Sequence, residues 1–284
     1  MSAIYRSQAG ARAVRECYLQ FLDRWPVPNE RIVVATREGD TFVLACGPKE
    51  APPLLLFHGS GANATMWLGD IVEWSRHFRC HAIDMIGEPG LSAPSRPKLG
   101  TEAYALWLDD VLKGLGVERA AIVGVSLGGW LALDYATRRP VRITKLALLC
   151  PGGVGAQKSG WMLFLPLMLV GAWGRRRMRA RILGRKIETA SPAAKAMGDF
   201  MSLVFAHFRP RTGKLPLFSD KALRALTMPV LAVVGAKDVL INSQQTKSRL
   251  ERNVRNADVR LLPDAGHLIV GQAGNVAGFL MRDQ

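Results

Sequence analysis

The sequence predicts an α/β protein: a mostly parallel eight-stranded sheet flanked by helices, with a helical insertion after the sixth strand. Three observations carry that prediction. Six continuous apolar runs, PPLLLFHG, FRCHAIDM, RAAIVGVS, TKLALLCP, PVLAVVGAKD and ADVRLLPD, have the composition of strands buried on both faces of a parallel sheet. Segments with helical spacing at 65–78, 102–116, 127–139, 243–254 and 270–281 alternate with them, as right-handed βαβ crossovers require. The alternation breaks once, between Pro151 and about Ala222, where helical patterns occur without a clear strand.

The remaining elements precede the first of these runs. Residues 8–24 carry apolar positions at helical spacing, and Pro26 and Pro28 stop that helix. RIVVATREGDTFVLACG then reads as two strands around the turn signal Glu38-Gly39-Asp40, an antiparallel hairpin that brings the count to eight. Residues 1–151 and 223–284 are thus expected to form the sheet domain and 152–222 a helical cap.

Composition narrows the class. With 49% hydrophobic and 21% charged residues in 284, the chain is globular and can bury one large core. The first residues, MSAIYRSQAGARAVREC, lack the apolar core of a signal peptide, so the mature chain is expected to begin at or near Met1 and to reside in the cytoplasm. Cys17, Cys46, Cys80 and Cys150 occur singly without CxxC spacing; they read as small buried hydrophobes, with neither metal nor disulfide expected.

The run AAIVGVSLGGW places Ser126 between a buried strand and a helix, flanked as G-x-S-x-G. A reversal that sharp leaves no room for side chains at Gly124 and Gly128. The hydroxyl is held above the sheet at a helix N-terminus, where backbone N–H groups favour a developing negative charge. A free serine hydroxyl is a weak nucleophile and needs a base, which in turn needs an orienting acid.

Five histidines compete for the role of base. His267, in PDAGH directly after the last apolar run, lies at the carboxyl end of the sheet with Ser126. His58 heads HGSG and is placed to shape a loop. His77 and His81 flank the start of a strand and His207 lies in the insertion, so all three read as solvated or packed. VVGAKD puts Asp238 at the end of the penultimate strand as the acid, whereas Asp264 is a turn residue and Asp84 ties down its own loop. The order Ser126, Asp238, His267 separates the chain from chymotrypsin-like and subtilisin-like enzymes.

HGSG at 58–61, DMIGEPGLS at 84–92, GVSLGG at 124–129, GAKD at 235–238 and DAGH at 264–267 together resemble the α/β-hydrolase superfamily over nearly the whole chain. RWPVP and DMIGEPGLSAP also resemble bacterial carboxylesterase-type members. The resemblance implies Ser126 as nucleophile, His267 as general base and acid and Asp238 as its orienter. It further implies an oxyanion hole from the backbone N–H of Leu127 and one in the HGSG loop, Ser60 by preference and Gly61 next. Dehalogenases and most epoxide hydrolases of this fold carry an aspartate at the elbow and are disfavoured. Carbon-carbon hydrolases keep the serine but show a glycine-richer loop and a tryptophan after the histidine, where this chain has Leu268.

The net charge of +15 is concentrated: residues 151–222 hold thirteen Lys/Arg against three Asp/Glu. WMLFLPLMLVGAW (161–173) is too short and interrupted by Pro166 to span a bilayer, and GRRRMRARILGRK follows at once. The expected arrangement has apolar residues on the pocket side and arginines on the solvated face; contact with an anionic membrane surface is the alternative. No aromatic-basic interleaving supports nucleic-acid binding. The expectation is a serine esterase without cofactor or metal, acting on a small ester with a medium-sized, largely apolar group. A lactonase, thioesterase, carbon-carbon hydrolase, acyltransferase, perhydrolase or non-catalytic ligand receptor remains open.

Overall fold

The computed structural model describes residues 4–158 and 192–282. The apolar stretch 161–173 and the basic run that follows it lie outside the described residues. Helix α1 (Gln8–Asp23) precedes the hairpin of β1 (Asn29–Val34) and β2 (Thr41–Cys46). Then come β3 (Pro53–Phe57), a 3-10 turn (Ala64–Trp67), α2 (Ile71–Trp74), β4 (Arg79–Ile83), α3 (Ala103–Leu115), β5 (Ala120–Val125), α4 (Leu127–Arg138) and β6 (Ile143–Leu149). After β6 the described chain holds α5 (Pro192–His207), α6 (Asp220–Arg224), β7 (Val230–Gly235), α7 (Ser243–Asn253), β8 (Ala257–Leu262) and α8 (Ala273–Met281).

The eight strands form one sheet in the order β1-β2-β4-β3-β5-β6-β7-β8. Only β2 runs against the rest: it pairs antiparallel with β1 and β4, while every other pairing is parallel. Side-chain alternation divides each strand between two cores. Leu55 and Phe57 of β3 face α3 and α4 with Trp107 and Trp130, while Leu54 and Leu56 face α1, α2 and α8 with Trp67 and Trp74. A sheet covered on both faces needs runs of apolar residues without polar interruption, which is why β5 and β7 are buried at every position.

Helix boundaries follow local chemistry. Ser7 caps α1 by accepting from the N–H of Gly10, and Val14, Tyr18 and Leu22 form its buried stripe at four-residue spacing. α3 ends where Gly116 takes a left-handed φ of 67°.

The structure corrects the sequence reading in two places. The helix expected over 65–78 is a 3-10 turn and a short α2, separated by Leu68, Gly69 and Asp70. β8 is an edge strand, half-buried throughout, with Asp258 and Arg260 paired at 2.7 Å on its surface, so it is not covered on both faces.

The described part of the insertion packs on the core through several contacts, among them these three. Phe200 of α5 packs on Tyr18 and Phe21 of α1, with ring centroids 6.3 and 5.2 Å apart. Trp130 of α4 donates to the carbonyl of Pro216 at 2.8 Å and stacks on Phe218. Gln157 forms an isolated bridge to Ile241.

Candidate active site

Ser126 stands alone between β5 and α4 with φ 52° and ψ −107°. Only it and Cys150 have positive φ among the described non-glycine residues. Such a conformation costs on the order of 1–3 kcal/mol and persists where surrounding bonds impose it. Here the N–H of Ser126 donates to Leu149, and its carbonyl accepts from the N–H groups of Trp130 and Gly152, each at 3.0 Å. The flanking glycines make the turn possible. A Cβ on Gly124 would lie 2.7 Å from the carbonyl oxygen of Gly128, and one on Gly128 would lie 2.1 Å from that of Phe57. The obstacle at Gly124 is the following helix, as the sequence implies. At Gly128 it is the neighbouring strand β3.

The loops after β7 and β8 bring Asp238 and His267 to this hydroxyl. His267 Nε2 is 3.0 Å from Ser126 Oγ, and its Nδ1 is 2.8 Å from Asp238 Oδ2. Asp238 is 2% exposed, and its other oxygen accepts from the N–H groups of Leu240 at 2.7 Å and Ile241 at 3.0 Å. Burial favours the protonated acid, but the hydrogen bond and charge of His267 and the two N–H groups outweigh it, holding the carboxyl below its ordinary range. An anionic Asp238 fixes the proton on Nδ1, which leaves Nε2 free to accept the serine proton. Lys158 braces the same loop by donating to the Asp238 carbonyl at 2.6 Å.

The HGSG loop follows β3 and passes close to the elbow: a Cβ on Gly59 would come 3.8 Å from that of Ser126. Its successive N–H groups have different partners. That of Gly59 meets the Met66 sulfur at 3.4 Å, and that of Gly61 donates to Glu88 Oε2 at 2.6 Å. The Ser60 N–H has no acceptor among the described residues, whereas Gly61, the second choice from sequence, is engaged. Leu127 opens α4, where no intrahelical acceptor precedes it.

The other titratable candidates fall outside this chain of bonds. His58 is fully buried; its Nδ1 lies 2.8 Å from the Gly59 carbonyl oxygen, and its Nε2 accepts from the Met85 N–H at 3.0 Å. Burial pushes it down to about 4, against a hydrogen bond to Gly59, so it is neutral and joins the loops after β3 and β4. Asp84 accepts from Tyr18, Ala64 and Leu91, tying its own loop and α1 together. Asp264 pairs with Lys237 on the surface, His77 is exposed, and the His207 ring fills the space above Gly10.

Two residues of the site were not singled out by the sequence. Cys150 sets its thiol beside Asp238 and His267, with one ligand atom from each within 4.8 Å of the others. Burial and the Asp238 charge push this thiol far up, so it keeps the proton that a thiolate metal ligand would have lost, and Asp238 and His267 already satisfy one another. Glu88, in the GEPG stretch, is 1% exposed and reaches the HGSG loop. Its only signal in the sequence is a charge inside an apolar, glycine-rich phrase.

A sequence profile of the alpha/beta hydrolase family matches residues 54–279. The chain belongs to this family. Among relatives of this alpha/beta hydrolase, carboxylesterase YbfK of Bacillus subtilis is 29% identical over 257 residues, 89% of this chain and 87% of its own. Its crystal structure superposes with a TM-score of 0.82 over 96% of this chain and 97% of that one. The crystal structure of naproxen esterase from the same organism is 27% identical, covers 98% and 99% of the two chains and also has a TM-score of 0.82. The sheet order and the single antiparallel strand β2 therefore belong to a fold shared over nearly the full length.

Proposed function

We propose that this alpha/beta hydrolase is a serine esterase that cleaves carboxylic esters with a medium-sized, largely apolar acyl or alcohol group through an acyl-enzyme. The observation that carries this reading is the continuous hydrogen-bonded chain Ser126 Oγ, His267, Asp238, built on a serine held in a strained turn. Ser126 attacks the ester carbonyl while His267 Nε2 takes its proton. The N–H groups of Leu127 and Ser60 receive the oxyanion, and the protonated histidine gives its proton to the leaving alcohol. Water activated by the same nitrogen then releases the acid and restores the serine. The carboxylesterase relatives that cover most of the chain support an ester as the bond cleaved.

In this reading residues 152–222 form the cap. Its returning arm brings Leu215 so close that a Cβ on Gly152, which donates to the Ser126 carbonyl, would sit 2.3 Å from it. An apolar side chain this near the serine backbone suits an apolar substrate group. Among the described residues no helix is long and apolar enough to cross a membrane. Cys17, Cys46, Cys80 and Cys150 are free thiols, and residence in the cytoplasm is part of this reading.

Two measurements test the proposal. A series of 4-nitrophenyl esters of increasing acyl length is expected to give a burst equal to the enzyme concentration, with kcat/KM highest at intermediate length. A fluorophosphonate probe is expected to modify Ser126, located by mass mapping, and to leave Ser126→Ala unmodified. Absence of both burst and adduct in a folded protein would overturn it.

A further inference from the structure

The HGSG loop is a turn between a strand and a 3-10 helix, with Gly61 at φ 72°. Nothing in its own backbone fixes where the Ser60 N–H points. His58 Nδ1 holds the carbonyl end of the peptide that carries it, 2.8 Å from the Gly59 oxygen, and Glu88 holds the peptide that follows. One oxygen, Oε2, accepts both the Gly61 N–H at 2.6 Å and the Ser60 hydroxyl at 3.3 Å. The peptide joining Ser60 to Gly61 is planar, so holding the Gly61 N–H sets that plane. Holding the Ser60 side chain as well leaves little freedom in the preceding peptide, which carries the Ser60 N–H.

Glu88 itself sits on a braced turn. Its N–H donates to Met85, its carbonyl accepts from Gly90, and Asn63 Nδ2 donates to Pro89 next to it at 2.9 Å. A carboxylate this buried needs an opposite charge. Arg211 supplies it: Nε lies 3.6 Å from Glu88 Oε1, and the guanidinium packs over the Tyr104 ring and bonds its hydroxyl. Arg96 stands beside the pair, bonded to the carbonyls of Gly87 and Arg209. Burial raises the Glu88 acid, while Gly61, Arg211 and Arg96 act against that rise. Arg211 lies in the segment after α5, so a charge from the returning arm of the insertion holds the carboxylate that holds the oxyanion loop.

We propose, resting on the reading of Ser60 as an oxyanion donor, that Glu88 is a positioning residue of the oxyanion hole and that Arg211 keeps it in place. Glu88 touches no reacting atom. It acts through Gly61 and Ser60, and Arg211 makes the geometry of the hole depend on where the insertion sits.

The test combines kinetics with a measurement that does not need turnover. In Glu88→Ala, kcat per active site, titrated with the fluorophosphonate, is expected to fall on the order of 10²-fold, the scale of a misplaced catalytic group, with KM nearly unchanged. Glu88→Gln, whose amide oxygen accepts the Gly61 N–H, is expected to recover most of the loss. Arg211→Leu is expected to lower kcat in the wild-type background and to have no further effect in Glu88→Ala, the non-additivity of groups acting in series. Hydrogen exchange of the Gly61 amide, read by NMR, is expected to speed up at least tenfold in folded Glu88→Ala. A Gly61 exchange rate or a kcat per active site within twofold of wild type would overturn the proposal. If wild type turned over no ester, the esterase reading would fail, and the Gly61 exchange rate would still decide the clamp.

Discussion

The carbonyl oxygen of Phe57, the last residue of β3, occupies the space that a side chain at Gly128 would need, 2.1 Å from its Cβ position. The oxygen belongs to the backbone of a central strand and the Cβ would be fixed to the first turn of α4, so neither can move without shifting sheet or helix. Gly128→Ala is expected to yield little folded protein, or a melting temperature more than 10 °C below wild type. Gly116→Ala provides the contrast. Its φ is 67°, but nothing lies within 4 Å of the added Cβ. Strain alone, about 1 kcal/mol, predicts a drop of roughly 2–4 °C with activity retained. Thermal melts of the two variants check the pair, and equal losses would mean that space is not what Gly128 protects.

Ser126 presents the opposite case, a side chain kept where glycine would be easier. Ser126→Ala preserves the positive φ and is expected to lose both the probe adduct and ester turnover while remaining folded. Ser126→Gly removes the steric strain at φ 52° and is expected to be equally inactive but about 1 kcal/mol more stable than Ser126→Ala, after the entropic cost of glycine. Urea denaturation of the two variants reads this difference. Equal stability would mean that the turn is relaxed.

These contrasts indicate which parts of the molecule the sequence could reveal. Interior strands such as β5 and β7 are legible because burial on both faces forbids polar residues, and Gly124-Val125-Ser126-Leu127-Gly128 is legible because the turn tolerates few alternatives. The proximity of Asp238 and His267 to Ser126 could be read from chain order, since each follows a strand ending at the same edge of the sheet. Glu88 and Cys150 were missed for a different reason. Their placement depends on contacts made across the sequence, to Gly61 and Arg211 in one case and to Asp238 in the other, and no periodicity encodes those contacts. The 65–78 segment misled because its apolar spacing is helical although Gly69 and Asp70 interrupt it. β8 misled because an edge strand can be apolar without being covered.

The carboxylate of Asp238 has two tasks, and a single substitution separates them. In Asp238→Asn the amide oxygen can still accept from Leu240 and Ile241, so the loop and the fold are expected to survive. The amide nitrogen then faces His267 Nδ1, which must accept, and the ring proton moves to Nε2. That tautomer cannot take the proton of Ser126. A fall in kcat on the order of 10⁴-fold is expected, with the melting temperature little changed. Steady-state kinetics beside a thermal melt checks it. A loss below tenfold would mean that the acid does not set the tautomer.

The pH dependence of stability is expected to carry the signature of His58. Its proton affinity in the folded protein is down to about 4 through burial, against an ordinary value of 6.5. As pH falls below 6.5 the unfolded chain binds a proton that the folded chain refuses until about 4. Stability is therefore lost across this window, by up to about 1.4 kcal/mol per pH unit for one group. Asp84 acts with the opposite sign, because burial raises it from 3.8 to about 6. Between those values the folded chain holds a proton that the unfolded chain has released, so this term weakens the fold as pH rises. Burial lowers His81 to about 4 as well and raises Asp70 to about 6, so terms of both signs partly cancel in wild type. In His58→Gln, whose side-chain oxygen can still accept from the Met85 N–H, the His58 term is gone and the others remain. Urea unfolding at steps from pH 7 to pH 4.5 is expected to show the wild type losing stability relative to His58→Gln as the pH falls. Parallel curves would mean that His58 takes up its proton equally in both states.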